Sequence, residues 1–294
     1  MREHGPMELT QAVIAAMAGA QDARFKHLMT SLVRHLHDFV RDVEPTETEW
    51  LEAVQFLTAT GHKCDGARQE FILLSDTLGV SMLIDALQNR KPENASETTV
   101  FGPFYRPGAP PLPYGGSIAG DVKGEPAFVH GRVLDVSSAP LAGARLDVWQ
   151  ANAEGFYDVQ LPNAQDMRLR GLFETDAQGR FLFRTVKPVS YPIPDDGPVG
   201  KMLGRMGRHP YRPAHVHMIV SASGFLPITT HLFVDGDPYL DSDVVFGVKP
   251  SLIVPFVRHE PGVAPDGTRT SSQFYTCEYD FRLVREGSPL APRD

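Results

Sequence analysis

Cysteine is nearly absent from this 294-residue chain, which contains only Cys64 and Cys277. The two lie far apart in sequence and form no CxxC unit. They therefore give no basis for a thiolate zinc site or a disulfide framework, and a reducing cytoplasm is the expected compartment. Long apolar runs are missing too: no segment approaches the roughly 20 apolar residues that a membrane span needs. The uncharged stretch from Leu9 to Gln21 has small residues from Ala18 to Ala20, but Glu3 and Glu8 stand where the positive region of a secretory leader belongs, so it is not read as one. Basic residues are in deficit, with 28 Lys and Arg against 36 Asp and Glu for a formal net charge of -8. Nucleic acid and anionic membrane surfaces both call for clustered positive charge, so a small neutral substrate fits better than either. A chain of this length buries a sizeable core unaided, and stability does not demand a metal.

Glycine and proline are scarce in only one part of the chain. Residues 1–100 hold five Gly and three Pro, leaving 21 and 22 for the rest, so the first part is expected to be helical and the second loop-rich and β. Phe25, Leu28, Met29, Leu32, Leu36, Phe39, Val40 and Val43 recur at three- and four-residue spacing, which puts one broad apolar stripe on a long helix ended by Pro45. Thr46 and Glu49 read as a capping box for a second helix that closes at Gly61. A further helical stretch from about Ala67 to Leu87, with a break near Gly79, is stopped by Lys91-Pro92. After the Pro-rich connector from Arg106 to Pro113 the period changes. Phe128 to Val136, Ala144 to Gln150, Gly179 to Val186, His215 to Ser221, Thr229 to Val234 and Gln273 to Leu283 read as strands. Short strands separated by Gly and Pro turns indicate a β-sandwich. The fold class is thus α+β: a helical region over residues 1–105, then a sandwich domain over 106–294.

The sharpest local signal is Arg212-Pro213-Ala214-His215-Val216-His217, entering a strand. Residues i and i+2 of a strand face the same side roughly 7 Å apart, close enough for two imidazoles to meet on one ion. His35 and His37 share that spacing, but on a helix they point about 200° apart and are read as packing or solvated residues. Taken alone, His215 and His217 are as easily a bland pair of strand histidines. Two tyrosines sharpen the reading: Tyr157 in Glu154-Gly155-Phe156-Tyr157-Asp158, after a strand end, and Tyr191 in the Pro-flanked loop Ser190-Tyr191-Pro192-Ile193-Pro194.

Tyr157, Tyr191, His215 and His217, at intervals of 34, 24 and two residues, together resemble the iron ligands of the intradiol ring-cleavage dioxygenases. Val148-Trp149-Gln150-Ala151 and Gly155 to Asp158 look like that family's first ligand motif, and Arg212 to His217 looks like its last. The likeness spans almost the whole chain, including the helical region and Gly102-Pro103-Phe104. Tyr191 to Pro194 with Asp196 to Leu203, Asp241 to Lys249, and Thr230-His231 resemble the hydroxyquinol 1,2-dioxygenases in particular. Catechol-type relatives usually carry Gln where His231 stands, a departure that makes catechol a poorer substrate without touching the iron site.

The resemblance implies one Fe(III) per chain, held by two phenolates and two imidazoles, whereas two His plus a carboxylate would suit Fe(II). It implies a small aromatic diol or triol and O2 as substrates, with both oxygen atoms entering a muconate product. Tyr191 would accept a substrate proton and leave the metal, and Arg212 would stabilise negative charge on the substrate. It also implies pocket walls from Leu73, Asp76, Val100, Phe101, Gly102, Pro103, Phe104, Ile193, Pro194 and Val245. Asp76 either accepts a hydrogen bond from a third substrate hydroxyl or caps the break near Gly79. His231 either supports the metal site from behind or is a packed strand histidine. A homodimer through the N-terminal helices, with a phospholipid in a tunnel between them, is the family's usual arrangement. Three rival readings stand beside this one: the same enzyme class acting on catechol, a chlorocatechol or a chlorinated hydroxyquinol; a non-catalytic β-sandwich that holds zinc or nothing; and a metal-dependent hydrolase with an open zinc site, for which two tyrosine ligands are unusual.

Overall fold

A computed structural model of the chain describes residues 5–66, 68–92, 94–161 and 167–289. The chain divides into two compact units, one running to Ala59 and the other starting at Thr60. The boundary read from sequence at 105/106 falls in the connector ahead of the first strand, which starts at Pro126, whereas the compact units part at 59/60. Among the described residues, no helix is long and apolar enough to cross a membrane.

The first unit holds helices α1 (Pro6–Ala16) and α2 (Ala23–Val43) and most of α3 (Glu47–His62). Asp22 caps α2 by accepting from the Phe25 backbone N–H at 2.9 Å, and Glu44 ends it in the left-handed conformation just before Pro45. The capping box of α3 forms as the sequence indicated: the Thr46 N–H donates to Glu49 at 2.8 Å, and the Glu49 N–H to Thr46 Oγ1 at 3.3 Å. Helix α1 was not anticipated. Thr10 and Arg41 tie it to α2 through a 2.9 Å hydrogen bond between Arg41 Nη1 and Thr10 Oγ1.

The second unit begins with α4 (Glu70–Thr77) and α5 (Val80–Gln88), parted at Leu78-Gly79, where the sequence indicated a break. Ala67, where this helical stretch was expected to start, lies outside the described residues. Then follow β1 (Pro126–Asp135), β2 (Arg145–Trp149), β3 (Arg170–Glu174), β4 (Arg180–Val186), β5 (Tyr191–Pro192), α6 (Pro198–Arg205), β6 (Tyr211–Arg212), β7 (His215–Ser221), β8 (Ile228–Val234), β9 (Ile253–Val254), β10 (Val257–His259), β11 (Phe274–Glu278) and β12 (Phe281–Leu283). One sheet runs β10-β11-β1-β12 with β4 on the other flank of β1; the second runs β3-β2-β7-β8-β9, and β5 and β6 form a separate ribbon.

The apolar faces of the two five-stranded sheets meet over one core. Val129, Phe181, Phe183 and Phe281 come from the first sheet, and Leu146, Phe173, Met218 and Leu232 from the second. Phe173 and Phe183 stack across the gap at 5.2 Å. The stretch from Gln273 to Leu283, expected as one strand, is two. Both parts pair parallel with β1, and the chain steps inward between them, where a Cβ on Gly131 would collide with the Tyr279 carbonyl.

Candidate active site

Strand β7 fixes the first two donor groups. Val216, Met218 and Val220 point into the core between the sheets, so the alternation of the strand turns His215 and His217 to the opposite face. Across the sheet, Trp149, His217 and His231 fall in one row of the register. The Trp149 indole lies flat against His217, with centroids 4.7 Å apart and planes at 13°. His231 meets His217 edge-on at 4.1 Å and stacks on His215 at 4.7 Å. All three imidazoles are buried, with ring nitrogens within 4.8 Å of one another.

Two loops deliver the tyrosines. Tyr157 follows a turn at Gly155, whose φ is 86° and where a Cβ would fall 2.7 Å from the Tyr191 Cβ. Only glycine lets the two loops close on each other there. Phe104 stacks on the Tyr157 ring at 4.7 Å, while Tyr191 is held opposite Arg212 in the β5–β6 ribbon. The outcome is a cluster of four donor atoms. Tyr157 Oη lies 2.9 Å from Tyr191 Oη and 2.8 Å from His217 Nε2. His215 Nε2 lies 3.0 Å from His217 Nε2 and 3.4 Å from Tyr191 Oη. His215 Nδ1 sits 2.7 Å from the Pro213 carbonyl. A carbonyl only accepts, so Nδ1 carries the proton and the Nε2 lone pair faces the tyrosines.

The cluster fits a metal ion. Donors bound at about 2.0–2.2 Å to one first-row ion are themselves roughly 3 Å apart, and these four oxygen and nitrogen atoms already have that spacing. Burial, with the Arg212 charge adding to it, holds the pKa values of His215, His217 and His231 well below the ordinary histidine range. The imidazoles are therefore neutral, the state in which they ligate. Burial raises both tyrosines above their ordinary value, so a cation is needed to make phenolates of them.

Arg212 is buried beside the cluster, its Nη1 3.2 Å from His215 Nε2. Burial alone would lower its pKa, but the neighbouring Asp243 and the tyrosines outweigh it and keep the guanidinium charged. Leu73, Asp76, Gly102, Pro103, Phe104, Ile193 and Val245 line one pocket together with Tyr191, Arg212 and His217. Val100 and Phe101 instead line an adjoining cavity of about 410 Å³, which shares Asp76 and Gly102 with the first pocket, and half-buried Pro194 lies in neither lining. Asp76 is 3% exposed, and burial raises its carboxyl pKa, an effect the Ser81 hydrogen bond and the Arg212 charge oppose.

Sequence reasoning missed two buried ion pairs that hold this arrangement. Arg170 Nε donates to Asp158 at 2.8 Å and its Nη2 to the Phe104 carbonyl at 2.8 Å, which ties the Tyr157 loop to the pocket wall. Arg212 pairs with Asp243. Asp158 and Asp243 both lie within motifs that had been singled out, but nothing in the spacing links either to its arginine.

Two tyrosines and two histidines that converge beside a buried arginine, at the edge of a small pocket walled mostly by apolar residues, form the kind of site a metal-dependent enzyme acting on a small molecule has. A family model described as Dioxygenase matches residues 102–285, and one described as Catechol dioxygenase N terminus matches residues 22–96. The chain belongs to the intradiol ring-cleavage dioxygenase family. It is 53% identical to a hydroxyquinol 1,2-dioxygenase of Rhizobium sp., over 94% of either chain. It is 51% identical to a 6-chlorohydroxyquinol 1,2-dioxygenase of Cupriavidus pinatubonensis, over 96% of this chain and 99% of the relative. Among solved structures, a hydroxyquinol 1,2-dioxygenase of Pseudomonas putida superposes with a TM-score of 0.89 at 49% identity, covering 96% of this chain and 99% of that one.

The close approach at Gly155 yields a direct test. Gly155→Ala should push Tyr191 away from the other donors, and elemental analysis of the purified variant should find less metal per chain than in the parent. An unaltered metal content would show that the glycine does not serve the site.

Proposed function

We propose that this chain opens the ring of hydroxyquinol, benzene-1,2,4-triol, between its two adjacent hydroxylated carbons with dioxygen and one Fe(III) per chain. The product is 3-hydroxy-cis,cis-muconate, which tautomerises to maleylacetate. The carrying observation is the convergence of donor atoms from Tyr157, Tyr191, His215 and His217 at 2.8 to 3.4 Å beside buried Arg212. The hydroxyquinol and chlorohydroxyquinol enzymes among its relatives support the choice of ring.

Two phenolates and two imidazoles make a hard, anionic donor set that favours ferric iron. Bound there, Fe(III) supplies the electron-withdrawing centre that makes a chelated, dihydroxylated ring reactive toward dioxygen. The chain contributes the rest. Tyr157 is braced by Phe104, His215 by the Pro213 carbonyl and His217 by Trp149, so these three are the fixed ligands. Tyr191 takes a substrate hydroxyl proton at its Oη. Arg212, with Nη1 turned toward the donors, holds the negative charge that develops on the substrate. Leu73, Pro103, Phe104, Ile193 and Val245 exclude water from the ring. Asp76, on the same wall, accepts a hydrogen bond from the third hydroxyl, and His231 supports both ligand histidines from behind with its ring. Both atoms of dioxygen enter the product, and no external reductant is needed.

Residues 106–294 hold the iron; residues 1–105 supply part of the pocket wall and, through the exposed α2 stripe of Phe25, Leu28, Leu32, Leu36, Phe39 and Val43, a homodimer surface with room for a phospholipid-like guest. Both cysteines are free thiols, which suits a reducing cytoplasm.

The purified protein should be red-brown, with about one iron per chain and a broad visible band from the two phenolates. His215→Ala and His217→Ala should each lose much of the iron. Arg212→Ala should keep iron and colour but slow ring opening on the order of 100-fold. Colourless, zinc-bearing protein that is active would sink the iron assignment, and unchanged single-turnover rates in Arg212→Ala would remove that residue from the reaction.

Substrate choice is tested by oxygen uptake. A buried partner left unpaired penalises an analogue that lacks the matching hydroxyl, so hydroxyquinol should exceed catechol in kcat/KM, and Asp76→Ala should narrow the gap chiefly by lowering the hydroxyquinol value. Equal efficiency with catechol rejects the substrate, whereas an unchanged ratio in the variant rejects only the role of Asp76. Light scattering at micromolar concentration should give the mass of two chains; a monomer mass rejects the dimer, and lipid extraction with mass spectrometry tests the guest.

A further inference from the structure

Asp243 makes more contacts with Arg212 and with its own loop than a simple counter-ion needs. Its Oδ1 accepts from Arg212 Nε at 3.1 Å and its Oδ2 from Arg212 Nη2 at 3.1 Å, a two-point fork between side chains that are 4% and 2% exposed. The same carboxylate is held by its own loop: the Gly247 N–H donates to Oδ2 at 2.9 Å and the Val245 N–H to Oδ1 at 3.3 Å. That loop is pinned from outside. Thr99 Oγ1 donates to the Gly247 carbonyl at 2.8 Å, Arg208 Nη2 donates to the Val244 carbonyl at 2.8 Å, and the Val244 N–H reaches the Tyr211 carbonyl at 3.2 Å. Phe246 adopts the left-handed conformation, φ 58°, uncommon for an aromatic residue, to complete the turn.

A forked pair fixes the plane of a guanidinium as well as its place. With Nε and Nη2 committed to Asp243, Nη1 is the arm left over, and it points at the donor cluster, 3.2 Å from His215 Nε2. Asp76 and Arg212 line the same pocket, but the carboxylate that Arg212 meets is Asp243. Glycine at 247 leaves room for the fork and for the Thr99 hydroxyl, because a Cβ there would sit 3.0 Å from Arg212 Nη2, 3.0 Å from Thr99 Oγ1 and 3.2 Å from Asp243 Oδ2.

We infer that Asp243, held by the Asp243–Gly247 turn, is the positioning residue that aims Arg212 at the substrate oxygen. This rests on the reading of Arg212 given above, and it adds that Arg212 and the Val245 pocket wall hang on one carboxylate.

The test uses the iron-loaded enzyme with Gly247→Ala and Asp243→Asn, each alone and combined with Arg212→Gln. Gly247→Ala keeps every charge and crowds the fork together with the Thr99 hydroxyl that pins the loop, so it serves even if Asp243→Asn fails to fold. Both single variants should retain the parent's iron and visible band. Misplacement of about 1 Å can cost up to 100-fold in rate, so kcat on hydroxyquinol should fall roughly tenfold or more while KM changes less than about threefold. In the Arg212→Gln background the same substitutions should cost less than about twofold, since residues acting through one another are non-additive. A kcat loss that persists undiminished in that background overturns the inference.

A readout independent of turnover separates this from failure of the functional reading. In 15N-arginine spectra of enzyme loaded with diamagnetic Ga(III) in place of iron, the Nε–H signal that disappears in Arg212→Gln should be protected from solvent exchange in the parent, and the protection should drop in Asp243→Asn or Gly247→Ala. If the parent does not consume oxygen with hydroxyquinol, the proposed substrate fails, and this exchange measurement still decides the clamp: an unprotected Nε–H, or protection unchanged in the variants, overturns it.

Discussion

The two-residue period of β7 is the constraint on which the site depends. Val216, Met218 and Val220 are committed to the core between the sheets, and that commitment sends His215 and His217 to the far face side by side. A one-residue slip of the strand would exchange the two sets, burying imidazoles among phenylalanines and turning valines to the pocket. Core packing and donor placement are therefore one choice. The neighbouring strands then support it, because the row Trp149, His217, His231 puts a ring on either side of the central histidine.

The other donors come from less regular backbone, and buried charge holds them there. The Tyr157 loop is tied through Asp158 to Arg170 and the Phe104 carbonyl, and the arginine facing Tyr191 is tied to Asp243. Each arginine is nearly fully buried, so losing either aspartate would leave an uncompensated charge, the costliest way to break such a pair. The pocket combines neutral imidazoles and tyrosines with one permanent cation already matched by a carboxylate. Its electrostatics are set before any ligand arrives.

Much of this was legible in the amino-acid sequence, for reasons particular to each element. The α2 stripe, the Thr46–Glu49 box and the alternation of β7 are local patterns, and they form where they were expected. Tyr157 and Tyr191 carry no local mark of a shared site; resemblance to a family identified them, and the structure brings them within 2.9 Å of each other. What escaped was non-local. The Arg212–Asp243 pair joins a two-residue strand to a loop 31 residues later, and no periodicity encodes it. Helices α1 and α6 were not assigned from the sequence; each opens on a Gly-Pro pair, which occurs in turns as well as at helix starts. The split between β11 and β12 follows from the tight approach of Tyr279 to Gly131, a contact between segments distant in sequence.

The parallel pairing of β1 with β11 and β12 bears on the order in which the molecule can be assembled during synthesis. The sheet that carries the histidines is built from residues 145 to 254, whereas β1, at 126 to 135, finds its last partners only at 274 to 283. A nascent chain emerging from the ribosome to about residue 255 thus contains all four donor residues, two of them on a sheet whose opposite, apolar side still lacks three strands of its cover. Long-range parallel pairing is slow to form and leaves apolar surface exposed meanwhile. The last forty residues, which contribute none of the four donors, therefore govern whether the half-built sandwich closes on itself or on its neighbours.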